Sequence, residues 1–405
     1  MSDAASPAEA APLDATEKAD LKAQTTHGLK HISSLDGLRG LAVLLVLMFH
    51  LSWGFPDAGP LHLVKAYLWS GWMGVDMFFV LSGYLITRGL VKDSAFSVGK
   101  RMKLFWARRA FRIFPLYYIV ILVGTGVCLA IGGPGDIPGP SYWLYFQNYT
   151  LAFDPNVMRW TAHLWSLAIE EQFYFVWPLV VLLAGKRMRL SVAFFLLLFS
   201  LGLRTGFMVI GHKIAIFGWS DEQIAKFVYR ATPMHMDGLL FGAILAMFDQ
   251  DKSLRAGILF RRIRVPMFFA SALLLALLMV WTKGFATYDR RVIVLGYPTL
   301  AMVFGCGVSL ASDGWFPAFV QSALSRGVLP ACGKVSYGMY IFHWFLVLLV
   351  VPWQEAQNAT LGMAASAGLG VAITVLGTVL VFGLATLSYR FIESPFLQIK
   401  AKFHD

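Results

Sequence analysis

The chain has 405 residues, 58% of them hydrophobic and only 14% charged, against about 25% charged in an ordinary globular protein. That composition excludes a soluble domain of the usual kind and describes a chain solvated mainly by lipid. The net charge of +11 does not indicate nucleic acid as a partner, because the basic residues lie scattered between apolar runs and form no single basic domain.

Residues 1–30 are rich in Ala, Pro and Asp. They lack the basic start and apolar core of a signal peptide and are expected to form a disordered cytosolic tail. From 31 to 397, windows of about 17–25 apolar residues predict ten membrane-spanning helices. These run roughly over 37–55, 72–90, 110–131, 163–184, 189–211, 231–248, 265–282, 292–311, 333–352 and 365–389. Residues 398–405 complete the chain as a second short cytosolic tail. The expected fold class is therefore an all-α integral membrane protein, with about ten transmembrane helices around a central cavity.

Charge sets the orientation. Arg88, Lys92, Lys100, Arg101, Lys103, Arg108, Arg109 and Arg112 lie between or beside the second and third spans. Lys186, Arg187 and Arg189 follow the fourth, and Lys252, Arg255, Arg261, Arg262 and Arg264 follow the sixth. The alternate loops are poorer in basic residues, so the positive-inside rule puts both termini in the cytosol. The loop at 283–292, with Lys283, Arg290 and Arg291, is the exception. "GPSYWLYFQNYTLAF" (Gly139–Phe153) is expected at the outer interface as an aromatic belt. The three cysteines, Cys128, Cys306 and Cys332, sit in or beside apolar segments without metal or redox spacing and read as packing residues.

Ionisable groups inside spans are costly, and they mark functional sites unless packing accounts for them. "SLDGLRGLAVLLVLMFHLSW" carries Arg39 and His50, three helical turns and about 16 Å apart on one face. Arg39 falls near the cytoplasmic surface and His50 in the outer half. Running the other way, "GWMGVDMFFVLSGYLITRG" brings Asp76 toward the level of His50, and "HLWSLAIEEQFYFVWP" brings Glu170 and Glu171 there. Glu170 and Glu171 are adjacent, so at most one of them faces His50. Arg108, Arg109 and Arg112 share the level of Arg39. Arg204, His235 and Asp237, and Ser336, Tyr337, Tyr340 and His343, are further embedded polar groups. Taken singly each has a structural reading: a satisfied histidine, a topology anchor, a capping aspartate, an aromatic core. Together they call for a water-accessible cavity lined by protein.

These segments resemble the membrane-bound acyltransferase-three family over nearly the whole stretch from Ile32 to Phe396. The resemblance rests on ordered motifs: Arg39 and His50 after "LDGLRG", "GVDMFFVLSGYLI", "RRAFRIFP", "HLWSLAIEEQFY", "SYGMYIFH" and "YRFIESP". Phe345 departs from the family pattern, which often has proline two residues after the histidine of the "SYGMYIFH" motif, and His235 stands where many members have a basic residue. The form is expected to be the one without a fused hydrolase-like domain.

The resemblance implies an O-acyltransferase of a bacterial-type inner membrane. It would move an acyl group, acetyl by base rate, from cytosolic acyl-coenzyme A to a hydroxyl of a surface or exported glycan, or of a glycosylated small molecule. Acyl-coenzyme A is then a co-substrate; no resident cofactor or metal is expected. Arg39, Arg108, Arg109 and Arg112 would hold the donor phosphates, for which guanidinium is well matched. Tyr337, Tyr340 and His343 would complete substrate binding. His50, whose imidazole titrates near neutrality, would be the general base, and Glu170 or Asp76 would orient it. Direct transfer and an acyl-histidine relay both suit these residues. The rival class is a multi-span transporter of an anionic or lipid-linked substrate, with a non-catalytic scaffold as a third reading.

Overall fold

The computed structural model describes residues 31–92, 96–131, 137–153, 159–211, 218–251 and 253–401. The expected N-terminal tail, 1–30, and residues 402–405 lie outside the described residues. One compact unit begins at Ser33 and holds all the helices of the bundle.

Every regular element among the described residues is helical. In chain order the main helices are α1 (Ser33–Leu51), α2 (Met73–Val91), α3 (Val98–Ala130), α4 (Gln147–Phe153), α5 (Trp165–Leu183), α6 (Gly185–Ile210) and α7 (Asp221–Arg230). They continue with α8 (Asp237–Gln250), α9 (Arg255–Trp281), α10 (Tyr297–Ser312), α11 (Val328–Lys334), α12 (Ser336–Asn358), α13 (Met363–Ser388) and α14 (Ser394–Ala401). Helix α14 carries the chain past 397, so that predicted boundary falls within a helix.

Among the described residues nine helical segments are long and apolar enough to cross a bilayer. The tenth expected span, 231–248, is different. Its main piece, α8, has 14 residues, about 21 Å at 1.5 Å per residue, against a hydrocarbon core of about 30 Å. A separate turn, Thr232–His235, precedes it and ends at Met236. Helix α8 nevertheless lies parallel to α2. Gly238 meets Phe79, Gly242 meets the Val80 carbonyl and the Tyr84 amide, and Tyr84 donates to Asp249 at 2.7 Å. Residue numbers rise together along the two helices, so α8 keeps the direction expected of the sixth span.

In lipid there is little hydrophobic drive between helices, and close backbone approach takes its place. A Cβ added at Gly40 would run into the Leu329 carbonyl, and one at Gly333 into that of Asp36. These contacts seat α11 against the start of α1. Val43, Leu47 and Leu51 of α1 then pack with Val335, Met339, Val347 and Val351, so α1 and α12 run parallel. Helix α13 returns antiparallel along α12, with Gly338 beside Ala385 and Gly377 beside Leu346.

Helix α3 has 33 residues, about 50 Å, and begins at a Ser97 cap that accepts from the Lys100 amide at 3.4 Å. It is too long for the hydrocarbon alone, so its basic first turns extend beyond it.

The aromatic stretch 139–153 departs from the expected belt. Tyr142 and Tyr145 are buried, although Leu144, Phe146 and Phe153 are exposed. Tyr117 and Tyr118 donate to the carbonyls of Tyr142 and Trp143 at 2.8 and 2.9 Å. Tyr145 has φ of 56°, an uncommon conformation for a side-chain-bearing residue. Its ring stacks on Tyr117 at 4.4 Å and its carbonyl accepts from Gln172 at 2.7 Å. The stretch is thus tucked into the bundle by the glutamine of the "EEQFY" motif.

Candidate active site

A cavity of about 90 Å³ runs between α1, α2, α3, α5 and α12. Arg39 of α1 and Arg109 and Arg112 of α3 line one end; Ser82, Glu170 and Tyr174 form a wall, and Ser166, Tyr337 and Tyr340 lie along α5 and α12. The volume is enough for a few waters or a slender chain and no more. Arg39 is steadied by Asp36 at 3.3 Å, and the Arg109 guanidinium lies over the Tyr174 ring at 5.5 Å. Arg108, expected with them, does not line the cavity. An RRxxR pattern on a helix cannot aim adjacent arginines one way, since neighbours differ by about 100°.

Glu170 faces the cavity and accepts from Ser82 at 2.6 Å. Glu171 turns toward a groove with Trp106, Arg109, Phe114 and Phe175, and its buried Oε1 has no hydrogen-bond partner. The adjacent glutamates thus divide as their spacing requires. Tyr337 donates to the Ile113 carbonyl at 2.8 Å, tying α12 to α3 beside Arg112.

Beyond the cavity's inner end is a cluster of three histidines. The Tyr340 hydroxyl donates to the His163 carbonyl at 2.6 Å, so the Ser166 hydroxyl, also at 2.6 Å, donates to Tyr340. One turn on, His343 is fully buried; its Nδ1 bonds the Tyr340 carbonyl at 2.6 Å and its Nε2 lies 3.2 Å from Nδ1 of His50. The His163 ring stacks on Trp344 at 5.5 Å and meets His343 edge-on at 5.5 Å. Among the described residues neither His163 nitrogen has a hydrogen-bond partner. Phe49, Trp53 and Trp344 collar His50, with ring centroids 4.5, 5.1 and 5.1 Å away.

His50 Nδ1 also lies 3.0 Å from the Val46 carbonyl. A carbonyl only accepts, so Nδ1 carries the proton and Nε2 keeps its lone pair, a tautomer assigned from the partners. That Nε2 makes no hydrogen bond among the described residues.

Two expectations are corrected here. Neither predicted carboxylate touches His50. Asp76 bonds Nε2 of His235 at 3.1 Å and Glu170 is held by Ser82. His343, expected to bind substrate, does not line the cavity and instead contacts His50. Helix α12 continues fifteen residues, about 22 Å, past His343, so the histidine pair sits well inside the bundle. Phe345 leaves α12 unbroken, and the proline within that helix is Pro352.

Asp76 belongs to a separate buried cluster. Arg204 donates to both Asp237 oxygens at 2.8 and 3.0 Å and to the Met234 carbonyl at 3.1 Å. His235 bonds Asp76 and the Tyr229 carbonyl (2.5 Å) and stacks on Tyr297 at 4.7 Å. The cluster joins α2, α6, α8 and α10. Ser82 and Ser166 do not stand out in the sequence. Both lie within the quoted motifs, but a serine there reads as an ordinary small residue. Glu393 of "YRFIESP" is also buried, beside Gly338 and 3.5 Å from the Ser388 hydroxyl that donates to it.

A cavity lined by guanidinium groups thus lies beside an imidazole cluster inside a bundle of membrane-spanning length, although none of His50, His163 and His343 lines the cavity itself. Comparison with known sequences makes this specific: a family model described as an acyltransferase domain matches residues 32–390, and the chain belongs to that acyltransferase 3 family. The peptidoglycan O-acetyltransferase OatA of Listeria monocytogenes is 27% identical over 93% of this chain and 57% of its own length. A putative O-acetyltransferase of Staphylococcus aureus is 29% identical over 91% and 58%. A putative peptidoglycan O-acetyltransferase of Bacillus subtilis, YrhL, is 28% identical over 90% and 55%. The chain thus spans under three-fifths of the length of these curated relatives. No solved structure matches.

Proposed function

We propose that this chain is an O-acyltransferase of a bacterial cytoplasmic membrane, moving an acyl group, acetyl in the simplest case, from cytosolic acyl-coenzyme A to a hydroxyl of a cell-surface glycan. The relatives' names support the glycan class. The observation that carries the chemistry is the unbonded Nε2 of His50, which is linked through His343 to Tyr340 in the wall of a cavity that also holds three arginines.

Arg39, Arg109 and Arg112 would grip the donor's phosphates at the cytosolic mouth. The pantetheine arm would thread the cavity past Glu170 and Tyr340, which must shift to widen it. The acceptor hydroxyl then gives its proton to His50 Nε2 as its oxygen bonds the thioester carbon. The carbon–sulfur bond breaks, and the thiolate takes the proton back from the imidazolium, leaving an ester and free coenzyme A. Transfer is direct, with no acyl-enzyme.

The test is release of coenzyme A thiol by purified protein in detergent, with acetyl-coenzyme A and a glycan acceptor, alongside mass spectrometry of that glycan. Acceptor-dependent thiol release with matching ester formation is expected. Transport of the glycan without thiol release would replace this reading with the carrier.

A further inference from the structure

We infer that His343 is a positioning residue for His50, filling with a neutral imidazole the place that a carboxylate takes in a Ser-His-Asp triad. The inference rests on the acyltransfer reading for its consequence, but its geometry stands apart from it.

Hydrogen-bond chemistry leaves one neutral arrangement of the pair. The Tyr340 carbonyl, 2.6 Å from His343 Nδ1, can only accept, so His343 carries its proton there and presents a lone pair at Nε2. The Val46 carbonyl fixes the proton of His50 on Nδ1 in the same way. That N–H is therefore shared between the Val46 carbonyl and the His343 Nε2 lone pair, 3.0 and 3.2 Å away. The reverse assignment would set the His50 Nδ1 lone pair against the Val46 oxygen and require a charged, fully buried His343.

Two acceptors thus hold the His50 ring with Nε2 directed away from both, as a base requires. When Nε2 takes the acceptor's proton, the positive charge forms on a ring whose Nδ1–H already points at two lone pairs. His343 moves no proton; it orients the base and stabilises the cation. The other titratable groups at the pair are His163, whose ring lies 5.5 Å from that of His343, and Tyr340, committed to the His163 carbonyl. No carboxylate contacts either ring among the described residues, since Asp76 and Glu170 are bonded elsewhere. The backbones of α1 and α12 keep the two rings in register through the packed stripe from Val43 to Val351.

The experiment compares wild type, His343→Ala and His343→Gln in detergent. Gln keeps an acceptor oxygen near the place of Nε2. For His343→Ala, kcat should fall roughly tenfold to hundredfold, at or below the low end of a general base's own contribution, with KM for acyl-coenzyme A unchanged. His343→Gln should recover most of that loss. The acid limb of the kcat profile should move to lower pH in His343→Ala, because the imidazolium of His50 has lost an acceptor. A second readout needs no turnover: diethyl pyrocarbonate modifies the free imidazole nitrogen, and the pH midpoint of His50 modification, read by mass spectrometry, should move the same way.

Unchanged kcat and an unmoved midpoint in folded His343→Ala would overturn the inference. So would a loss confined to KM, which would return His343 to substrate binding, or equal losses in both variants with the midpoint in place. If the wild type shows no acyl transfer but the midpoint still moves, the positioning role stands and the acyltransfer reading falls.

Discussion

Ser82 donates a 2.6 Å hydrogen bond to Glu170, and this bond commits the carboxylate to the wall of the cavity, away from His50. Glu170→Gln keeps an oxygen for Ser82 and removes one negative charge near the arginines. We expect kcat to stay within about tenfold of wild type, well short of the loss from deleting a general base. Thiol-release kinetics check this. A loss in kcat as large as that of His50→Ala would place Glu170 in the chemistry.

His50→Ala should abolish transfer, with a fall of about 10²–10⁴ in rate. It should fold and insert normally, because alanine removes a costly polar group from the membrane interior. Size-exclusion profile and thiol release are to be read on the same preparation. Wild-type turnover in the folded variant would sink the base assignment.

The arginines divide by position. Arg109→Ala and Arg112→Ala should each weaken coenzyme A binding by roughly 10–100-fold, the equivalent of one charge-assisted hydrogen bond of about 1.5–3 kcal/mol. Arg39→Lys should weaken it less, since charge remains while the planar fork is lost. Arg108→Ala should leave affinity unchanged, because Arg108 lies off the cavity lining. Equal losses at Arg108 and Arg109 in a binding titration would reduce the cluster to a topology signal.

The Arg204–Asp237 pair is a stability element. Asp237→Ala leaves a buried guanidinium without its carboxylate and should destabilise the fold by about 3–5 kcal/mol. Replacing both partners together, Arg204→Met with Asp237→Leu, should cost less, because no charge is then stranded. Thermal aggregation in detergent measures both. Equal stability of the single and double variants would contradict this reading.

Much of the architecture is legible in the order of residues. Bilayer thickness imposes a length on apolar runs, and nine of the expected spans have matching helical segments among the described residues. The arginine level and Tyr337 and Tyr340 are legible as well, because helical periodicity carries a side chain's level and face over a few turns. The sixth span is shorter than its hydropathy implies. The apolar stretch covers 231–248, but the turn at Thr232–His235 spends its first residues on bonds to Asp76 and Arg204.

The sequence by itself determined that this chain lives in a bilayer, which family it joins, and that Arg39 and His50 share a helical face about 16 Å apart. Only the tertiary structure decided their partners. Asp76 and Glu170 were both candidates for His50 on level alone, with His343 expected at the substrate, and periodicity says nothing about the rotation of one helix against another. That rotation comes from glycine contacts such as Gly40 on Leu329 and Gly242 on Val80. They bring α11 and α8 close enough to turn His343 toward His50 and His235 toward Asp76. The proposed base is therefore readable from one segment, but its partner depends on packing between segments nearly three hundred residues apart.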